Sequence, residues 1–175
     1  ALQQAGIPTI AGGARTFYRH LEVLDLLNLL ISTLNPLDTT ASAAVLRSPL
    51  MGASDLEIQQ LQDSPGLSRL LSQEETPPES ISPQLSEKID QWKELASRSR
   101  GSSLADWLCQ VETFLAPERY VDPLDREGRA VARVRKLMRS FRDICSAGVT
   151  PPLVWLLRQR QRCVGVDRRD VELGE

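Results

Sequence analysis

Few side chains in this sequence combine a type and a spacing that could do chemistry. The single histidine, His20, stands beside Arg19 with no evident triad partner, so a capping or surface role is expected rather than a catalytic one. Cys109, Cys145 and Cys163 form no CxxC pair and have no histidine cluster near them. Such a set reads as reduced thiols of a cytoplasmic protein, with Cys109 and Cys145 expected in the core. The densest run of carboxylates, Glu74, Glu75 and Glu79, falls in a polar, proline-containing stretch that offers no fixed ligand geometry, so no metal site is assigned. No G-x-x-x-x-G-K-[ST] phosphate loop occurs, and Gly12-Gly13 alone is a turn. The residues point to no enzymatic site.

Two features could bind instead of react. The first is a basic helix face, with Arg129, Arg133 and Lys136 in one line and Arg135, Arg139 and Arg142 in another. It reads either as a solvated face or as a contact for phosphates or an acidic partner surface. Four carboxylates, Asp122, Asp125, Glu127 and Asp143, flank it in sequence. The second is a helix-turn-helix over residues 38–62, in which Gly52 directly precedes a capped helix start. Open backbone amides and the helix dipole at such a start favour a phosphate oxygen, and glycine allows close approach. The same pattern also describes an ordinary corner between two helices.

The elements that would carry these features are helical. Leu21, Val23, Leu24, Leu26, Leu27, Leu29, Leu30 and Ile31 surround one helix with apolar side chains, which predicts a central, buried element ended by Asn35-Pro36. Asp38 or Thr39 caps a second helix reaching about Arg47. Ser54-Asp55-Leu56-Glu57 is a capping box, the serine hydroxyl accepting from the amide three residues on while the glutamate reaches back. Residues 72–83 are polar and acidic and are expected to add nothing to a core. Ser82-Pro83 opens a helix to about Ser99, with Leu85, Ile89, Trp92 and Leu95-Ala96 at helical spacing. Ser103 to Asp106 resembles a capping box with Asp for Glu and opens a helix to about Leu115. Ala130, Val131, Val134, Leu137, Met138, Phe141 and Cys145 form one apolar stripe on a helix placed at about Asp125 to Ala147, stopped by Gly148. Thr150-Pro151 starts a last helix through about Arg162. Residues 7–11 differ, being short and β-branched before Gly12-Gly13, and predict one strand, a fragment of an α/β unit.

The fold class is therefore all-α, seven or eight helices with a short α/β remnant at the amino terminus. With 175 residues, 41% apolar and 25% charged, the chain has the composition of a globular protein with a proper core. The net charge of −2 conceals an asymmetry. Residues up to Glu118 carry 8 basic and 15 acidic side chains, and those from Arg119 onward carry 13 and 8. Glu22, Asp25 and Asn28 interrupt the longest apolar stretch, so no membrane span is predicted. The chain opens on Ala in mid-pattern and is expected to be a segment of a longer protein.

Ala5-Gly6-Ile7-Pro8, Ala11-Gly12-Gly13, Phe17-Tyr18, Glu22-Val23, Asp25-Leu26-Leu27 and Asn35-Pro36 occur in one order and spacing. That series resembles the segment following motif IV in superfamily 1 DNA helicases of the UvrD type, commonly A-G-I-P, G-G, F-Y-x-R-x-E-[IV]-x-D and N-P. Its continuation, Ala43-Ala44-Val45-Leu46-Arg47-Ser48-Pro49-Leu50-Met51-Gly52-Ala53-Ser54, is similar to the RecB/AddA helicase–nuclease branch. The resemblance covers residues 1 to about 60, with Ser103-Leu104-Ala105-Asp106-Trp107-Leu108 as a further short element.

The resemblance implies that residues 1–19 are a remnant of the RecA-like motor domain 2A and that residues 20–175 are the helical 2B subdomain. It implies a non-catalytic DNA-engaging or regulatory part of an ATP-dependent DNA helicase and exodeoxyribonuclease acting in double-strand break repair and recombination. ATP and Mg²⁺ belong to the parent enzyme, with no cofactor in this segment. The implied partners are a DNA duplex or single-/double-strand junction, the motor domains of the same chain, and a partner subunit of a helicase–nuclease complex. Alternatives are the 2B part of a UvrD/Rep-type repair helicase and a free-standing helical protein-interaction module. In the family a G-I-G turn grips the duplex backbone; here its positions hold Gly52, Ala53 and Ser54, with serine replacing the second glycine. The family's arginine after the aromatic pair is also displaced, since Arg19 follows Tyr18 directly. The DNA-contact candidates are thus Gly52, Ala53, Ser54 and Arg47 at the turn, Phe17, Tyr18 and Arg19 at the aromatic pair, and Arg135, Arg139 and Arg142 on the basic helix.

Overall fold

A helix that is apolar on nearly every side can satisfy itself only in the middle of other helices. In the computed structural model, which describes residues 17–71, 76–115 and 128–164, helix α1 (Leu21–Leu34) takes that place. Val23, Leu26, Leu27, Leu29, Leu30 and Ile31 are fully buried. Even its buried hydroxyls are satisfied within the helix, Ser32 donating to the Leu29 carbonyl at 3.0 Å and Thr33 to the same carbonyl at 2.9 Å. Leu21 departs from the expectation, being 74% exposed, because it stands at the first position of the helix beyond the reach of its neighbours.

Seven more helices follow among the described residues: α2 (Thr39–Arg47), α3 (Asp55–Asp63), α4 (Leu67–Leu70), α5 (Pro83–Gly101), α6 (Leu104–Leu115), α7 (Arg129–Ala147) and α8 (Pro152–Val164). Helix α1 packs against α2, α5, α7 and α8. No strand occurs among the described residues. The strand expected over residues 7–11 lies outside them, as does most of the segment assigned to a motor-domain remnant. Phe17 and Tyr18, from its end, pack partly buried on the helical core.

The local start signals do what their chemistry requires. Asp38 caps α2 by accepting from the Ala41 amide at 2.9 Å. Ser54 and Glu57 form the full capping box of α3. At α6, Ser103 Oγ accepts from the Asp106 amide at 3.2 Å and donates to the Asp106 carboxylate at 2.6 Å, a version adapted to the shorter acid. Helix α7 begins at Arg129, later than about Asp125, because Gly128 holds a left-handed conformation (φ 62°) at its N-cap. Gly148 (φ 66°) ends it as expected.

Aromatic side chains join the later helices. The Trp107 indole N–H donates to the Leu95 carbonyl at 3.1 Å and holds α6 on α5. Phe141 stands edge-on to Trp107 (6.2 Å between centroids) and also contacts Trp155 (5.7 Å), so one ring of α7 meets both α6 and α8. Two expectations fail here. Ile81 is buried, so the polar stretch before α5 does contribute to the core. Cys109 is exposed, because the inner face of α6 is set by Trp107, Leu108, Val111 and Leu115, and residue 109 falls off that stripe.

One charged contact lies within this packing. Glu22 of α1 accepts from Arg133 of α7, with side chains only 14% and 15% exposed. Removing one partner leaves the other charge largely desolvated. Glu22→Gln is therefore expected to lower unfolding free energy in urea by about 3 kcal/mol, with much of it regained in Glu22→Leu/Arg133→Met. A single-variant loss below about 0.5 kcal/mol would mean that the pair behaves as a surface pair.

Candidate nucleic-acid interface

Helix α7 buries Ala130, Val134, Leu137, Met138 and Phe141, and this fixes where its arginines go. Arg135, Arg139 and Arg142 are spaced by four and three residues, so they follow one another along about 10 Å of helix. Together with Glu112 and Leu115 of α6, and Val134 and Met138 beneath them, they line a groove of 380 Å³ between α6 and α7. The three arginines proposed from sequence are thus brought to one place. Arg142 donates to Glu112 at 2.7 Å, with both side chains about half exposed. Arg139 is exposed and forms no ion pair among the described residues.

The second basic line has contacts of its own within the fold. Arg133 is committed to Glu22 in the packing between α1 and α7. Lys136 lies over the Phe17 ring with its ammonium 5.1 Å from the centroid. Of the four carboxylates flanking the helix in sequence, only Asp143 lies within the described residues. Among the described residues, Glu22 and Glu112 meet α7 arginines; they come from other helices, 111 and 30 residues away, and no local pattern announces them.

The turn before α3 has the expected backbone shape but not open amides. Gly52 sits at φ 70°, and a side chain there would meet open space. Its amide donates to the Ser48 carbonyl at 2.8 Å, the Ala53 amide to the Leu46 carbonyl at 3.0 Å, and the Ser54 amide to Glu57 at 2.9 Å. Arg47 is paired with Asp55. The first turn of α3 carries Asp55 and Glu57, so carboxylates of the chain itself already oppose the positive end of the helix dipole. Hydrogen bonds from the Ser54 backbone and hydroxyl, and then from Ser82, hold the Glu57 carboxyl down to about 2. Glu57 also ties the turn to α5, accepting from the Ser82 amide at 3.1 Å, while Lys88 of α5 donates to the Met51 carbonyl at 2.9 Å. The turn is stitched into the fold, and the charge at its helix start repels a phosphate.

The aromatic pair forms a third group. Phe17 and Tyr18 meet edge to face at 5.1 Å. Burial pushes the Tyr18 hydroxyl up, opposed by the Arg162 guanidinium beside it, so the pair bridges α7 and α8. Arg19 is exposed. His20 occupies the N-cap position of α1, but its side chain makes no capping bond.

A larger groove of 740 Å³, which sequence reasoning missed, lies between α5 and α6, with Leu50, Leu95 and Phe114 among its lining residues. Its charged rim is internally matched, Arg98 to Glu94 and Lys88 to the Met51 carbonyl. Among the described residues no group of three His, Cys, Asp or Glu side chains could hold a metal ion. Burial raises the Cys145 and Cys163 thiols, which disfavours the thiolate. Comparison with family models, with curated proteins and with solved structures returns no match.

The Glu57 anchor has a measurable signature. A carboxyl lowered from 4.5 to about 2 contributes stability that is fully present above pH 4.5 and is lost as pH falls through 2. Glu57→Gln is expected to lose about 0.5–1 kcal/mol at neutral pH and to flatten the stability profile across that acid window. Equal acid sensitivity of variant and parent in urea titrations would contradict the role given to Glu57.

Proposed function

We propose that this chain is the helical accessory subdomain of a superfamily 1 DNA helicase, of the RecB/AddA helicase–nuclease branch, and that it engages the sugar-phosphate backbone of duplex DNA. The observation that carries this reading is the convergence of Arg135, Arg139 and Arg142 on one groove. Guanidinium groups recognise phosphate oxygens bidentately, and a row of them along a helix suits a row of phosphates. The ordered residue series from Ala5 to Pro36 and the all-helical architecture support the family reading.

In this reading the segment performs no catalysis. ATP and Mg²⁺ act in the motor domains of the parent helicase, and the segment supplies a surface to them. The groove has an apolar floor of Leu115, Val134 and Met138, and its charged contacts come from the arginines that line it. Of the three candidate surfaces, the turn at Gly52, Ala53 and Ser54 is the weaker, because its amides are engaged and its helix start is acidic. The partners in this reading are the duplex or its junction with single strand, and the motor domains. No helix among the described residues is long and apolar enough to cross a membrane. A second reading, a helical protein-interaction module, is favoured by the charge-matched groove between α5 and α6.

The chain is expected to bind labelled duplex at a Kd on the order of 10⁻⁴ to 10⁻⁶ M, weakening steeply with added salt. Arg135→Glu/Arg139→Glu/Arg142→Glu should weaken binding at least about ten-fold at low salt. Undiminished binding by the triple variant would remove the groove from DNA recognition.

A further inference from the structure

Three contacts fasten the segment that leads into α1, and they differ in how far they are withdrawn from water. Glu22 and Arg133 are only 14% and 15% exposed, so separating them would strand a desolvated charge. Ahead of them, Phe17 and Tyr18 meet edge to face at 5.1 Å and lie on the core only partly buried. The Lys136 ammonium stands 5.1 Å from the Phe17 ring centroid, and Lys136 is exposed. Tyr18 lies beside Arg162 of α8, which also donates to Gln159 Oε1 at 3.1 Å. Lifting the ring pair would leave Lys136 to water and Arg162 to Gln159, so neither cation would be stranded.

We propose that residues 17–20 are a strap that opens about the Glu22–Arg133 pair as a fixed pivot and, when closed, keeps Lys136 on Phe17. Lys136 precedes Arg139 by three residues, so the two are neighbours on the surface of α7. Once the ring leaves, the ammonium turns to the outer side of that helix and meets an anion there. Strap closure and anion binding on α7 therefore oppose each other, each weakening the other by the same factor. The opening follows from the contacts of the segment, while its link to a phosphate backbone rests on the reading of α7 as a DNA contact.

The test is nuclear magnetic resonance of the full chain, followed through the Lys136 side-chain methylene signals, which the Phe17 ring shifts upfield while the strap is closed. Mild urea is expected to move them to the positions they take in Phe17→Leu, while α1 amides from Val23 to Leu30 stay protected from exchange. Tyr18→Phe, which removes the hydroxyl beside Arg162, should raise the open fraction about two- to ten-fold. A short duplex at low salt should drive the Lys136 signals the same way. Loss of the upfield shift only together with α1 protection would make the segment part of the core and overturn the strap. Lys136 signals identical in parent and Phe17→Leu would overturn it as well. Arginine signals of α7 that move with duplex while those of Lys136 stay would overturn the opposition between strap and anion. Undiminished duplex binding by the triple arginine variant would overturn the DNA reading instead, with opening in urea still supporting the strap.

Discussion

Burial of α1 from Val23 to Thr33 constrains the remaining helices, because a segment with so little polar surface must be enclosed by others. Helices α2, α5, α7 and α8 enclose it. Each fully buried leucine or isoleucine contributes about 1.5–3 kcal/mol relative to an exposed one, so register errors around α1 are costly. Glu22 of α1 enters this packing and pairs with Arg133. That pair orients α7. With Arg133 turned towards α1 and Phe141 inserted between Trp107 and Trp155, the row from Arg135 to Arg142 faces the edge shared with α6.

Charge on α7 is thereby divided between two kinds of work. Arg133 is withdrawn into the fold and Lys136 covers the Phe17 ring, while the other row stays at the surface. A basic helix counted from sequence overstates the charge available to a partner, because part of it is matched from elsewhere in the fold. The same logic lowers the standing of the turn at Gly52. Its glycine has the left-handed backbone expected of a close-approach site, yet Ser48, Leu46 and Glu57 satisfy the amides. The corner is reinforced, tied to α5 through Glu57 and Lys88.

The legible parts of the fold were those encoded within a few residues. Asp38, Ser54 with Glu57, Ser103 with Asp106, and Gly148 act through bonds spanning three or four positions, and each marks its helix end. The apolar stripes of α5 and α7 were equally plain, since helical periodicity alone determines which side faces inward. Cys109 and Ile81 were misplaced because residue type was weighed there before position on the helix or in the chain. The ion pairs of Glu22 and Glu112 were invisible for a different reason. They join residues from distant helices, and only the tertiary packing brings them together. Of the candidate site, the arginine row could be named from spacing, whereas its groove and the Glu112–Arg142 pair could not.

The central claim is that the α6–α7 arginine groove, and not the turn before α3, is the surface offered to DNA. Nuclear magnetic resonance of the labelled chain during titration with a short duplex at low salt tests it most directly. The side-chain N–H signals of Arg135, Arg139 and Arg142 and the backbone amides around Glu112 and Leu115 are expected to shift together and return as salt is added. Signals from Gly52 to Glu57 should stay in place. Shifts confined to the turn, with the arginine signals unmoved, would contradict the account.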